Sequence, residues 1–187
     1  MTTATKITFL RLILIPVMVV FLIIPKSGIS VLNMNDFDLY ELIAAIIFVV
    51  ASFTDFLDGY IARKYNQITN FGKFLDPIAD KILVLAAMTY LISTGKVAFW
   101  AVLIVIFREF LVTGIRLLAV EKGEVIAASP YGKIKTIVTM ISLIIMMFNN
   151  LFLPNLLVDI VWYLAVFLTI FSGLDYLFKN LNIFKEN

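Results

Sequence analysis

The 187-residue sequence contains no cysteine and no histidine. Disulfides, thiolate nucleophiles, imidazole bases and ordinary zinc sites are therefore excluded, and carboxylates, lysines, arginines and hydroxyls remain to carry any chemistry. Charge is also scarce: 15% of residues are charged against 62% hydrophobic, with a mean hydropathy of +1.03. A soluble domain carries about 25% charged residues, so the expected solvent is lipid. The net charge of +2 is too small to argue for a nucleic-acid partner. Internal repeats and low-complexity tracts are absent.

What the chain has in abundance is long apolar runs. A helix needs about 20 residues to cross a bilayer, and the runs predict membrane helices over 7–25, 39–62, 73–94, 97–119, 134–150 and 156–176. The fold class expected is all-α: one integral membrane domain over 1–187, a bundle of six transmembrane helices with the active site at its cytoplasmic end. The first run has a basic start at Lys6 and Arg11 but no small-residue cleavage site behind it, and reads as a retained helix. With six spans both termini share a side. That side then holds 13 of the 15 basic residues and the other only Lys26 and Lys96, so the positive-inside rule makes it cytoplasmic. The segments 26–38 and 149–155 carry turn residues.

The informative region runs from Asp55 to Lys81. Asp55, Asp58, Asp76 and Asp80 lie at the ends of two apolar helices. An ionised Asp near hydrocarbon costs about 2.5–3.5 kcal/mol on insertion scales, so four together require cations or metal. Helical spacing puts Asp55 with Asp58, and Asp76 with Asp80, each pair on one face. If the two helices are antiparallel neighbours, the pairs converge on one acidic pocket. Two Mg²⁺ or Mn²⁺ ions would neutralise it, since hard oxygen ligands suit those ions, and two close metals suit in-line displacement at phosphorus. Structural readings exist beside this one. Asp76 before Pro77 has the form of an N-cap with proline at the first helical position. Asp58 could pair with Arg63, and Asp80 with Lys81 or Lys73.

The full pattern Asp55-x2-Asp58-Gly59-x2-Ala62-Arg63-x8-Gly72-x3-Asp76-x3-Asp80 resembles the signature of the CDP-alcohol phosphotransferase family in every fixed position and every spacing. The resemblance implies that Asp55 and Asp76 bridge two metals, that Asp58 completes the first site, and that Asp80 touches the second and acts as general base. It further implies that Gly59 and Ala62 leave room for the nucleotide, that Arg63 and Thr69 contact the CDP diphosphate, and that Gly72 permits close backbone approach. Small residues admit a nucleotide against a helix and a guanidinium suits phosphate oxygens, so these roles are physically coherent. The implied reaction is attack by a hydroxyl on the phosphorus bearing diacylglycerol, with CMP leaving.

A second set bears on the acceptor: Arg108-Glu109, Arg116, Lys133 and Lys135, within Arg108-Glu-Phe-Leu-Val-Thr-Gly-Ile-Arg116 and Ser129-Pro-Tyr-Gly132-Lys-Ile-Lys-Thr136. Cations among apolar residues suit an anionic substrate, and a phosphate monoester takes more than one. The structural alternative is a buried network of Glu109 with Arg116, with the lysines snorkelling to the interface. Both strings, and the start Lys6-Ile-Thr8-Phe-Leu-Arg11 with Pro16, resemble the bacterial branch of the family that makes phosphatidylglycerophosphate from CDP-diacylglycerol and sn-glycerol 3-phosphate. The family's Asn-rich start is replaced by Thr2-Thr-Ala-Thr. The expected cofactor is thus a pair of Mg²⁺ or Mn²⁺ ions, and the expected location a bacterial inner membrane. Family precedent implies a homodimer. Inositol phosphate, serine and phosphatidylglycerol are alternative acceptors. Outside the enzyme class, a divalent-cation carrier would account for embedded acids but not for Gly59, Ala62, Arg63 and Gly72, and a membrane scaffold would need none of the aspartates.

Overall fold

A computed structural model describes the backbone over residues 3–29, 37–64, 70–124, 126–127 and 129–184, and side chains over the same residues except 3–6, 55–64, 70–74 and 151–152. Among the described residues there are six α-helices and no strand: α1 (Thr3–Ile23), α2 (Leu39–Lys64), α3 (Asn70–Ser93), α4 (Phe99–Glu121), α5 (Pro130–Met147) and α6 (Asn155–Lys179). Short 3-10 helices follow α5 and α6, at Asn149–Phe152 and Leu181–Phe184. The chain divides into two units, Met1–Thr94 with Ile144–Leu151, and Gly95–Leu143 with Phe152–Asn187.

In the first unit α1 packs against both α2 and α3. The buried residues of α2 include Ala44, Ala45, Phe48 and Ala51, and those of α3 Ala79, Leu83 and Ala87. Spacings of three and four hold each set on one face, and the alanines let helix backbones approach closely, as membrane bundles require. The start of α2 is closed by reciprocal capping. Asp38 accepts the Tyr40 N–H at 2.9 Å while Glu41 accepts the Asp38 N–H at 3.0 Å. The Ser27 hydroxyl and the Gly28 N–H also donate to Asp38, at 2.8 and 3.0 Å, and Tyr90 of α3 donates to Glu41 at 2.8 Å. Gly28 takes φ +77°, which a side chain would strain.

In the second unit α4 packs along α6. Val112, Ile115 and Ala119 of α4 bury against Tyr176 and Ile183. The end of α4 is closed by the Gly123 N–H to Val120 O and the Glu124 N–H to Ala119 O, a Schellman motif with Gly123 at φ +77°. The opposite faces are apolar and open: Phe107 and Leu117 are each 66% exposed, and Phe167 63%. Water would penalise such a surface and lipid would not.

Two helices, α5 and α6, are long and apolar enough to cross a membrane. The middle of α4 carries Arg108, Glu109 and Arg116, which lowers its apolar character. Three helix starts correct the sequence reading, the first being α1, expected from 7 and begun at Thr3. The helix expected over 134–150 begins at Pro130, because Ser129 caps it: its Oγ accepts the Gly132 N–H at 3.0 Å, with proline at the first helical position. The helix expected from 73 begins at Asn70, which places Pro77 inside α3. The N-cap reading of Asp76-Pro77 is therefore overturned, and the Asp76 carboxylate is engaged elsewhere.

Candidate functional site

Of the four aspartates, Asp76 and Asp80 have described side chains, one turn apart on α3. Both are met by α1. The Thr8 hydroxyl donates to Asp76 Oδ1 at 2.7 Å, and the Arg11 guanidinium forms an ion pair with Asp80 Oδ1. Thr8 and Arg11 are three apart, hence on one face of α1, and are 1% and 0% exposed, whereas the Asp80 side chain keeps 43% exposure. The arrangement gives each carboxylate a protein donor from α1 and leaves the Asp80 side chain partly exposed. Arg11 brings Asp80 a cation from another helix, while the Lys73 side chain lies outside the described residues.

Asp55, Asp58, Gly59, Ala62 and Arg63 fall within the helical backbone of α2, and Gly72 within that of α3, but their side-chain environment lies outside the described residues, as does Thr69 altogether. Among the described residues no group of three or more acidic, histidine or cysteine side chains comes together. The donors that are described, two carboxylates on one helical face in a chain without histidine or cysteine, are of the chemistry that hard divalent ions prefer.

The second unit gathers part of the acceptor set. Glu109 Oε1 accepts from Arg108 at 3.0 Å and from Lys135 Nζ at 2.5 Å, joining α4 to α5. The Lys135 side chain is 5% exposed and that of Arg108 11%, so the lysine does not snorkel. Two cations and one carboxylate leave this cluster one positive charge in excess. Arg116 stands apart from it. Its Nε donates to the Tyr176 hydroxyl at 3.2 Å and its guanidinium lies 5.6 Å from the ring centroid, so Arg116 is bound to α6 rather than to Glu109. Lys133 is exposed. The structure thus brings Arg108 and Lys135 together and leaves Arg116 and Lys133 out of their cluster.

Sequence reasoning gave no role to Thr8 or Arg11, and none to Glu109 as the bridge between two cations. The first two had a signal, polar residues three apart in an apolar run, but nothing local says which partner they meet.

A sequence profile of CDP-alcohol phosphatidyltransferases matches residues 1–171. The chain belongs to the CDP-alcohol phosphatidyltransferase family. Its curated relatives include a Bacillus subtilis protein, 42% identical over 97% of this chain and 96% of its own length, named CDP-diacylglycerol–glycerol-3-phosphate 3-phosphatidyltransferase. Proteins of the same name from Rickettsia bellii and Haemophilus influenzae are 43% identical over 74% of this chain and 38% over 91%, covering 78% and 88% of those proteins.

Proposed function

We propose that the protein transfers the phosphatidyl group of CDP-diacylglycerol to sn-glycerol 3-phosphate, giving phosphatidylglycerophosphate and CMP. The observation that carries this reading is the near full-length similarity to relatives bearing that activity's name. The acidic signature and the Arg108–Glu109–Lys135 cluster support it from the chemistry.

In this reading Asp55, Asp58, Asp76 and Asp80 hold two Mg²⁺ or Mn²⁺ ions, which supply neutralisation of the phosphate oxygens. The chain's own residues do the rest. Arg63 and Thr69 bind the CDP diphosphate, while Gly59, Ala62 and Gly72 leave it room. Arg108 and Lys135 bind the acceptor's phosphate, with Arg116 and Lys133 as further cations on the same unit. Asp80 takes the proton of the attacking hydroxyl, a new bond forms between that oxygen and the phosphorus bearing diacylglycerol, and the bond from this phosphorus to CMP breaks with its electron pair leaving on CMP. Thr8 and Arg11 orient the two α3 carboxylates. All six helices span the bacterial inner membrane, both termini are cytoplasmic, the acyl chains stay in the bilayer, and the enzyme works as a homodimer. The apolar outward faces of α4 and α6 support immersion.

The test is purified protein in detergent with CDP-diacylglycerol, Mg²⁺ and a panel of acceptors, followed by CMP release and lipid chromatography. Turnover with sn-glycerol 3-phosphate and not with serine, inositol phosphate or phosphatidylglycerol is expected, and folded protein that releases no CMP refutes the reading. Asp55→Asn and Asp76→Asn are expected to abolish metal-dependent turnover, and Asp80→Asn to spare CDP-lipid binding more than chemistry. Retention of Mg²⁺-dependent turnover by Asp76→Asn would count against the metal assignment.

A further inference from the structure

Arg108 reaches its place through two gaps in the second unit's packing. A Cβ added to Gly173 of α6 would sit 2.9 Å from Arg108 Cγ, closer than real side-chain contacts allow, and 3.9 Å from its Cβ. A Cβ added to Gly132, in the first turn of α5, would lie 3.2 Å from Arg108 Nη2 and 3.2 Å from Ser129 Oγ. The stem and the head of one arginine thus each rest against a residue with no side chain, on two different helices. Gly114 of α4 is the useful contrast, because an added Cβ there meets nothing within 4 Å.

Glycine is the poorest helix former after proline, so Gly173 in the interior of α6 weakens that helix relative to alanine. Its compensation is the passage of Arg108. Once there, the guanidinium is tied to Glu109 through Nη1 alone, and its Nε is buried with no hydrogen-bond partner among the described residues. A buried guanidinium with an unused donor beside a second buried cation, Lys135, is a group still fit to bind an anion.

We infer that Gly173 and Gly132 are positioning residues for the acceptor: by carrying no side chain they set the Arg108 guanidinium beside Lys135, and so set affinity for the acceptor's phosphate without touching it. The inference rests on the reading that Arg108 binds that phosphate. A methyl group at 173 meets the Arg108 stem at Cγ, one bond beyond Cβ, so the side chain must turn about its first torsion to clear it. The head then leaves its place beside Lys135. A methyl at 132 presses on the guanidinium itself and on the Ser129 cap, and its effect is smaller because the contact is longer.

The experiment compares Gly173→Ala, Gly132→Ala, Arg108→Ala and Gly114→Ala in purified enzyme, reading KM for sn-glycerol 3-phosphate, KM for CDP-diacylglycerol, kcat, the unfolding temperature and calorimetric binding of sn-glycerol 3-phosphate. Losing a charge-assisted contact corresponds to a loss of about tenfold or more in affinity. Gly173→Ala is expected to raise KM for the acceptor about tenfold, with KM for the CDP-lipid within about twofold of wild type. Gly132→Ala is expected to show a smaller rise in the same parameter, and Gly114→Ala to report the gain in helix propensity on the unfolding temperature. If Arg108→Ala weakens acceptor binding while Gly173→Ala does not, the glycine inference fails and the phosphate reading stands. If Arg108→Ala leaves acceptor binding intact, the reading beneath the inference fails as well. If Gly173→Ala lowers the unfolding temperature and weakens both substrates together, Gly173 is a packing spacer and the inference is overturned.

Discussion

Breaking the Glu109–Lys135 pair gives the most direct measure of how strained the cationic cluster is. Among the described residues Glu109 is the carboxylate that pairs with both cations, and both bonds fall on its Oε1. Changing it to Gln keeps the shape but leaves Lys135 and Arg108, 5% and 11% exposed, facing each other without a negative charge. Removing one partner of a buried pair costs about 3–5 kcal/mol, and the 31% exposure of Glu109 argues for the lower end. About 3 kcal/mol is more than a hundredfold in the folding equilibrium. Lys135→Met keeps the stem and removes the charge. It should cost only about 1–2 kcal/mol, because Arg108 still partners Glu109. In the double variant Glu109→Gln/Lys135→Met one cation is left with a neutral neighbour, so the combined loss falls short of the sum by about 1–2 kcal/mol. Denaturant titration in micelles, followed by fluorescence of Trp100 and Trp162 in the same unit, measures all three. Losses that add to within about 0.5 kcal/mol, or a Glu109→Gln cost below about 1 kcal/mol, would refute the argument that this carboxylate holds the two cations together.

Thr8→Val removes the hydroxyl that Asp76 accepts while preserving the shape of the side chain. Hydrogen bonds to charged groups contribute about 1.5–3 kcal/mol, so weaker Mn²⁺ binding by about tenfold or more is expected, read by electron paramagnetic resonance, with unchanged helix content; identical Mn²⁺ affinity would deny Thr8 any orienting role. Asp38, immediately before α2, supplies a pH dependence. Burial alone would raise its carboxyl, but hydrogen bonds from the Tyr40 N–H, the Ser27 N–H and hydroxyl, and the Gly28 N–H hold it below the ordinary carboxylate value. A depressed value means stability that is present above the unfolded pKa of about 3.9 and lost as pH falls through the folded one. Wild type should accordingly lose its advantage over Asp38→Asn only below about pH 4, and a gap that closes between pH 5 and 7 would contradict this assignment.

Much of the helical framework was legible because its signals are local. Long apolar runs broken by Pro, Gly, Asn and Asp gave six helices, and six are found among the described residues. Where boundaries were misread, the cause was also local. The start of α5 carried a Ser129-Pro130 cap that the hydrophobic run, beginning later, concealed. Pro77 suggested a helix start, yet α3 runs from Asn70 and absorbs it, since proline removes one N–H donor without forcing the helix to end. The structural alternative, a network of Glu109 with Arg116 on one helix, lost to Lys135 on another helix, because a lysine buried at 5% exposure needs the carboxylate more than an exposed arginine does.

The residue types and their spacing limit by themselves which groups are available for chemistry. Without histidine or cysteine only hard oxygen ligands remain, and helical geometry alone sets Asp55 with Asp58 and Asp76 with Asp80. Tertiary structure alone decided who holds those groups in place. Thr8 lies 68 residues from Asp76, Arg11 69 from Asp80, Lys135 26 from Glu109 and Tyr176 60 from Arg116. Periodicity reports which face a residue occupies and carries no information about the helix opposite it. Only packing brings α1 against α3, or opens a path for Arg108 past two glycines.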